Sequence, residues 1–182
     1  KAANLHESVM KNVVVQVPTA DFLVNQMRAG GLDAAIVYRV NVAPQPEHLE
    51  AIAGCGLTIY GYDEARWKAN ARLAPCYAGE VRERDRLRDI YNRSGATINI
   101  TRPHGPQSLN MRVFEAMACG SLMITDDRAQ ARELFVEGRE IVVYRGVADL
   151  KAKVEYYRSH PAERRTIAEA GMAAVRSRHT YV

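Results

Sequence analysis

Residues 108–126, SLNMRVFEAMACGSLMITD, constrain the fold more than any other part of the chain. Met111, Phe114, Met117 and Ala118 recur at helical spacing and define one apolar face. Gly120 stands where a left-handed residue ends a helix. Leu122, Met123 and Ile124 then form a short apolar run suited to a strand buried on both faces. Glu115 falls off the apolar stripe, towards the helix start, where a carboxylate can reach a ligand beyond the strand ends. A helix, a glycine stop and a buried strand in succession belong in a sheet with helices packed on its faces.

The same alternation runs through most of the chain. Residues 34–40 (AAIVYRV), 57–61 (LTIYG), 96–100 (ATINI) and the EIVVY segment read as strands, and 76–81 (CYAGEV) as a short strand and turn. Between them, EHLEAIAG after Pro46, ERDRLRDIYNRS with its Leu87, Ile90 and Tyr91 stripe, and ARELF read as helices. Residues 62–75 have no clear period, with Trp67 as the one large apolar anchor. ADLKAKVEYYRSH and PAERRTIAEAGMAAVRSRH form two consecutive helices divided by Pro161, a residue suited to a first helical turn. The pattern predicts an α/β domain: a Rossmann-like, doubly wound parallel sheet of about five to six strands, ending in two helices. Ligands of such sheets bind beyond the carboxyl ends of the strands. We place this domain at residues 32–182. Residues 1–31, with a TADFLVNQMRAGG helix capped by Thr19, form an N-terminal helical extension or interdomain segment.

The bulk properties exclude several classes. The 182 residues are 47% hydrophobic and 25% charged, as expected for a globular domain, and no apolar run is long enough for a membrane span. Cys55, Cys76 and Cys119 are odd in number and lack metal-like or CxxC spacing, so they read as reduced structural thiols of a cytoplasmic protein. The net charge of +4 does not by itself make a nucleic-acid surface. In the most basic stretch, Glu80 is spaced to pair with Arg84 and Asp89 with Arg93, giving a solvated helix face. No P-loop or GxGxxG fingerprint is present. The chain opens at Lys1 rather than Met, and we expect a piece of something longer.

The loop at residues 101–108 feeds the Glu115 helix, whose first N–H groups suit a phosphate. Arg102 and Arg112 flank it, and His104 and Gly105 lie within it. Two readings stand side by side: an anion site, or a turn-rich connection whose arginines point to water. His104 reads as a surface residue. Asp126 and Asp127 read as the charged start of the ARELF helix rather than as a metal site. Tyr156 and Tyr157 read as helix packing rather than sugar-stacking platforms.

The segments IYGY, YAGEV, IYNRSGATINITR, SLNMRVFEAMACGSLMITDD, ARELFVEGREIVVY, DLKAKVEYYRSHPAERRTIAEAG and HTY follow in order over two thirds of the chain. They resemble the C-terminal, donor-binding half of GT-B glycosyltransferases, in particular the spore-maturation-type branch. The resemblance implies a hexosyltransferase-type enzyme that takes a nucleoside-diphosphate sugar as donor substrate, with no separate cofactor and no metal. The acceptor is unknown, and an N-terminal half, absent from this chain, is expected as partner. Gly79, Glu80 and Val81 would line the base pocket. Glu115 matches the acid that binds the ribose, and one carboxylate can accept from two vicinal hydroxyls. Ser108, Leu109 and Asn110 would face the diphosphate or sugar, and Arg102 or Arg112 would neutralise the diphosphate. Many retaining members carry a second glutamate eight residues before the first, and this chain has Gln107 there. Glutamine hydrogen-bonds a hydroxyl but carries no charge, so the alternative is a GT-B-like binding domain that has lost catalysis.

Overall fold

The computed structural model describes residues 35–36, 46–61, 64–101 and 107–179. The expected TADFLVNQMRAGG helix and the rest of residues 1–31 lie outside the described residues, as do most of the 34–40 strand and residues 102–106.

Among the described residues the elements alternate as expected. They are β1 (Ala35–Ile36), α1 (Pro46–Ile52), β2 (Ile59–Tyr60), α2 (Glu64–Ala69), α3 (Arg84–Arg93), β3 (Ala96–Asn99), α4 (Met111–Ala118), β4 (Leu122–Asp126), α5 (Ala129–Leu134), β5 (Val142–Tyr144), α6 (Val147–Ser159) and α7 (Pro161–Arg178). Every strand pair is parallel: β1 with β2, β3 with β4, and β4 with β5. Tyr77 adds a parallel bridge to Ile59 on the outer side of β2, and β1 runs beside β3. The strands pair as two sheets, β1–β2 and β3–β4–β5, set side by side, and the spatial order Tyr77, β2, β1, β3, β4, β5 corresponds to the 3-2-1-4-5-6 order of a doubly wound fold. Among the described residues no strand occurs after β5, where α6 and α7 fill residues 147–178.

Side-chain alternation along the strands divides the core into two layers. Ala96, Ile98, Leu122, Ile124, Val142 and Tyr144 face one way, onto Leu49 and Ile52 of α1, Trp67 of α2, Leu150 and Val154 of α6 and Ile167 of α7. Met123, Ile141 and Val143 face the other way, onto Tyr91 of α3, α4, Ala131 of α5 and Val175 of α7. α7 therefore serves both layers, its first half on one and its last half on the other.

The Gly120 expectation holds in detail. Gly120 has φ +79°, and its N–H donates to the Met117 carbonyl at 2.9 Å while Ser121 N–H reaches the Ala116 carbonyl at 3.1 Å. This paired closure satisfies the last carbonyls of α4.

Five expectations need correction. Residues 64–69 form the helix α2, too short to show a period, and its Trp67 is buried in the core as the anchor expected of it. The buried face of α4 is Val113, Ala116 and Met117, whereas Met111 is 66% exposed because it opens the helix at the sheet edge. Glu80 pairs with Arg82, not Arg84, because α3 begins only at Arg84 and helical spacing does not apply before it. Arg88 takes both Asp85 and Asp89, so Asp89 is not left to Arg93. Tyr157 packs as expected, but Tyr156 is exposed, stacked on His160 and bonded to Glu163.

Candidate functional site at the carboxyl edge of the sheet

All five strands run parallel, so their carboxyl ends share one edge, and three connections with candidate residues open there. The first is the turn after Tyr77. Gly79 adopts φ +98°, and a Cβ on it would meet nothing within 4 Å, so backbone conformation rather than space requires glycine. Its carbonyl accepts the Gly61 N–H at 3.0 Å, and Tyr77 Oη donates to the Gly61 carbonyl at 2.8 Å, fixing the turn to the end of β2. Val81 is buried and Glu80 half-buried in its pairing with Arg82. A pocket of about 450 Å³ opens here between α2 and the turn, lined by Glu64, Lys68, Tyr77, Ala78, Gly79 and Glu80. The turn leads into α3, which packs beside α4 on one face of the sheet.

The second connection joins β3 to α4. Asn110 precedes the helix and donates from Nδ2 to Asn99 Oδ1 at 2.8 Å, which ties the start of α4 to the end of β3. Arg112 is half-buried and Glu115 exposed on α4. Ser108 and Leu109 are half-buried, and Gln107 is exposed. Two of these residues are engaged differently from the expectation. Leu109 N–H donates to Gln130 Oε1 at 2.6 Å, so this amide is taken by the protein itself. Gln107 turns its Oε1 to the Ala129 N–H at 3.5 Å, and its carbonyl accepts the Gln130 N–H at 3.2 Å. Gln107 thus supports the first turn of α5. Arg102 and His104 lie outside the described residues.

The third connection joins β4 to α5. Asp126 and Asp127 do not cap α5, whose preceding residue is Arg128. Asp126 Oδ1 accepts from both the N–H and the hydroxyl of Thr101, at 3.2 and 2.8 Å, and its Oδ2 pairs with Arg128 Nε at 2.6 Å. Asp127 pairs with Arg132 and Arg145. The reason is tertiary: the neighbouring strand end and the β5 rim offer these acids stronger partners than a helix start does.

Sequence reasoning missed the polar group beneath these loops. Asn99 Nδ2 donates to Thr125 Oγ1 at 3.0 Å, and Tyr144 Oη donates to the Asn99 carbonyl at 3.3 Å. Burial pushes the Tyr144 phenol far above its ordinary value, with the Asp126 charge adding to it, so this hydroxyl stays a donor. Asn99, Thr101, Thr125 and Arg128 are all at least nine-tenths buried. The signal was present in the sequence as asparagine and threonine at the carboxyl ends of otherwise apolar strands. Together these bonds make a rigid, hydrogen-bonded floor under α4, suited to holding ligand-contacting groups in place.

The family model described as "Glycosyl transferase-like" matches residues 45–182. No curated protein sequence matches the chain. Among solved structures, the C-terminal domain of a glycosyl transferase group 1 family protein (LpcC) from Francisella tularensis superposes with TM-score 0.68 at 13% identity, over 94% of this chain and 98% of that one. Sucrose-phosphate synthase from Thermosynechococcus elongatus gives TM-score 0.65 at 16% identity, over 88% of this chain but 44% of that one. Anabaena HepE, solved in complex with UDP and glucose, gives 0.60 at 15% identity, over 87% and 48%. The chain spans less than half the length of these two proteins. The likeness establishes the fold as that of a GT-B C-terminal domain, and the match over residues 45–182 shows that the chain belongs to the glycosyl transferase-like family.

Proposed function

We propose that this chain is the nucleotide-sugar donor-binding half of a glycosyltransferase, moving a sugar from a nucleoside diphosphate to an acceptor. The observation that carries the reading is α4: its first turn opens at the carboxyl edge, tied to β3 through Asn110 and Asn99, and Glu115 is exposed on it. In this reading Glu115 accepts from the ribose hydroxyls. The first turn of α4, with Ser108, Asn110 and Arg112, binds the diphosphate, and Arg102 adds charge to the leaving group. Gly79, Glu80 and Val81 line the base pocket. Gln107 offers its side-chain N–H₂ to a donor sugar, its oxygen being turned towards α5. The finer assignments rest on the motif resemblance: a hexosyltransferase of the spore-maturation-type branch, working in the cytoplasm with an N-terminal half that supplies the acceptor site.

Calorimetry with a panel of UDP, GDP, ADP, CMP and TDP tests the reading. Selective binding of one diphosphate is expected, and UDP is the first to try because HepE was solved with it. Binding of none would favour a GT-B-like domain that has lost its chemistry.

A further inference from the structure

Both ends of the β3–α4 connection are bound to one short turn, residues 126–130. At the leading end, Asp126 Oδ1 holds the N–H and hydroxyl of Thr101. At the trailing end, Gln107 and Leu109 exchange three bonds with the start of α5: Ala129 N–H to Gln107 Oε1, Gln130 N–H to the Gln107 carbonyl, and Leu109 N–H to Gln130 Oε1. Gln130 takes part in two of the three, one through its backbone and one through its side chain. The 2.6 Å bond to Leu109 is the shortest of the set, and it lies one residue before Asn110, which opens α4.

We propose that Gln130 is a positioning residue for the diphosphate part of the donor site. It makes no contact with ligand itself. It fixes the backbone of residues 107–109, and through them where Ser108 and Asn110 present their groups to a diphosphate. The proposal rests on the donor-binding reading above and adds to it a residue that no motif of the sequence marks. The chemistry restricts what can replace it. An acceptor must stand at the end of a side chain of glutamine length, beside the first N–H groups of α5. Glutamate meets that requirement, and its charge is favoured at a helix start. Leucine has nearly the same volume and no acceptor. With leucine at position 130, the Leu109 N–H loses its partner and the loop loses its anchor.

The test compares the wild-type chain with Gln130→Leu and Gln130→Glu, titrated with the nucleoside diphosphate preferred in the panel and with the corresponding nucleoside. Gln130→Leu should bind the diphosphate about tenfold more weakly and the nucleoside as the wild type does. Gln130→Glu should restore diphosphate affinity to within about threefold. Amide hydrogen exchange at Leu109 should be slow in the wild type and in Gln130→Glu and fast in Gln130→Leu. If Gln130→Leu does not fold, Gln130→Ser, too short to reach Leu109, carries the same expectation. Unchanged diphosphate affinity in the variant lacking the acceptor overturns the proposal and leaves the donor reading standing. Equal loss of nucleoside and diphosphate also overturns it, because that is general damage rather than positioning. A wild-type chain that binds no nucleoside diphosphate removes the donor reading, and this proposal with it.

Discussion

Glu115 on α4 and Cys119, which ends it, lie four residues apart, and their environments set opposite tests. Glu115 is exposed and contributes nothing to the buried face formed by Val113, Ala116 and Met117. Glu115→Gln should therefore change stability by no more than ~0.5 kcal/mol. If its carboxylate accepts from the ribose, nucleoside-diphosphate affinity should fall about tenfold, the loss of one charge-assisted hydrogen bond. Calorimetry and melting on the same two proteins separate these effects, and an unchanged affinity would remove Glu115 from the site. Cys119 is buried, and burial, with the Glu115 charge adding to it, pushes its thiol up to about 11. The native state thus favours the protonated thiol. That contribution is complete below the ordinary thiol value of 9.0 and is lost as pH rises through about 11. Stability should decline over this alkaline window by roughly 2–3 kcal/mol for this group, and the melting temperature with it. In Cys119→Ala the decline should be shallower. An identical slope in the variant would assign the decline to other groups.

At the scale of elements, the close approaches are between α7 and the β5 side of the sheet and between the ends of β3 and β4. Gly171 sits within α7, where a Cβ would collide with the Glu140 carbonyl oxygen and come within 3.0 Å of Met117 Cε. Alanine is the better helix former by about 1 kcal/mol. Overpacking against a backbone carbonyl costs about 1–3 kcal/mol and should outweigh that gain. Gly171→Ala should therefore melt several degrees lower, and a raised melting temperature would mean that the 137–141 turn yields freely. Asp126 joins β3 to β4 through Thr101 and neutralises Arg128, and both charged side chains are largely buried, at 16% and 8% exposure. Asp126→Asn removes the carboxylate paired with a buried guanidinium, and breaking such a pair costs about 3–5 kcal/mol. Denaturant unfolding measures it. A loss below 1 kcal/mol would show that the interaction is exchanged for solvent without cost.

Over the whole molecule, three of the carboxylates held below their ordinary values, Glu137, Glu140 and Asp149, lie at the rim around β5. Arg145 bonds Glu137 through both guanidinium nitrogens at 2.9 Å, Arg178 bonds Glu140 at 2.7 Å, and Lys153 bonds Asp149 at 2.8 Å. For Glu137 the Arg145 bond is the main cause of a lowered pKa. Glu140 and Asp149 are raised by burial but brought below their ordinary values by the cations and backbone N–H groups around them. A carboxylate held below its unfolded value stabilises the fold above the usual range and loses that contribution as pH falls through the folded value. Melting temperature should hold from neutral pH down to about 4.5 and drop below it. Arg145→Gln should make that drop shallower, and an unaltered acid limb would exclude the Arg145–Glu137 pair as its source.

The alternation of helix and strand, the stop at Gly120 and the two final helices were determined by the sequence alone, because they depend on periodicity and backbone preference within a few residues. The RVFEAMACG segment with Glu115 off its apolar stripe was legible for the same reason. Tertiary structure decided the partners of the polar side chains. Glu80 went to Arg82, Asp126 to Thr101 and Arg128, Gln107 to α5 and Gln130 to Leu109. Each of these bonds except Glu80–Arg82 and Asp126–Arg128 joins residues at least 21 positions apart, brought together only when β3 and β4 pair in register. It also decided that Met111 opens onto solvent while Val113 turns inward, since helical spacing gives the width of an apolar face but not which of its residues the sheet covers.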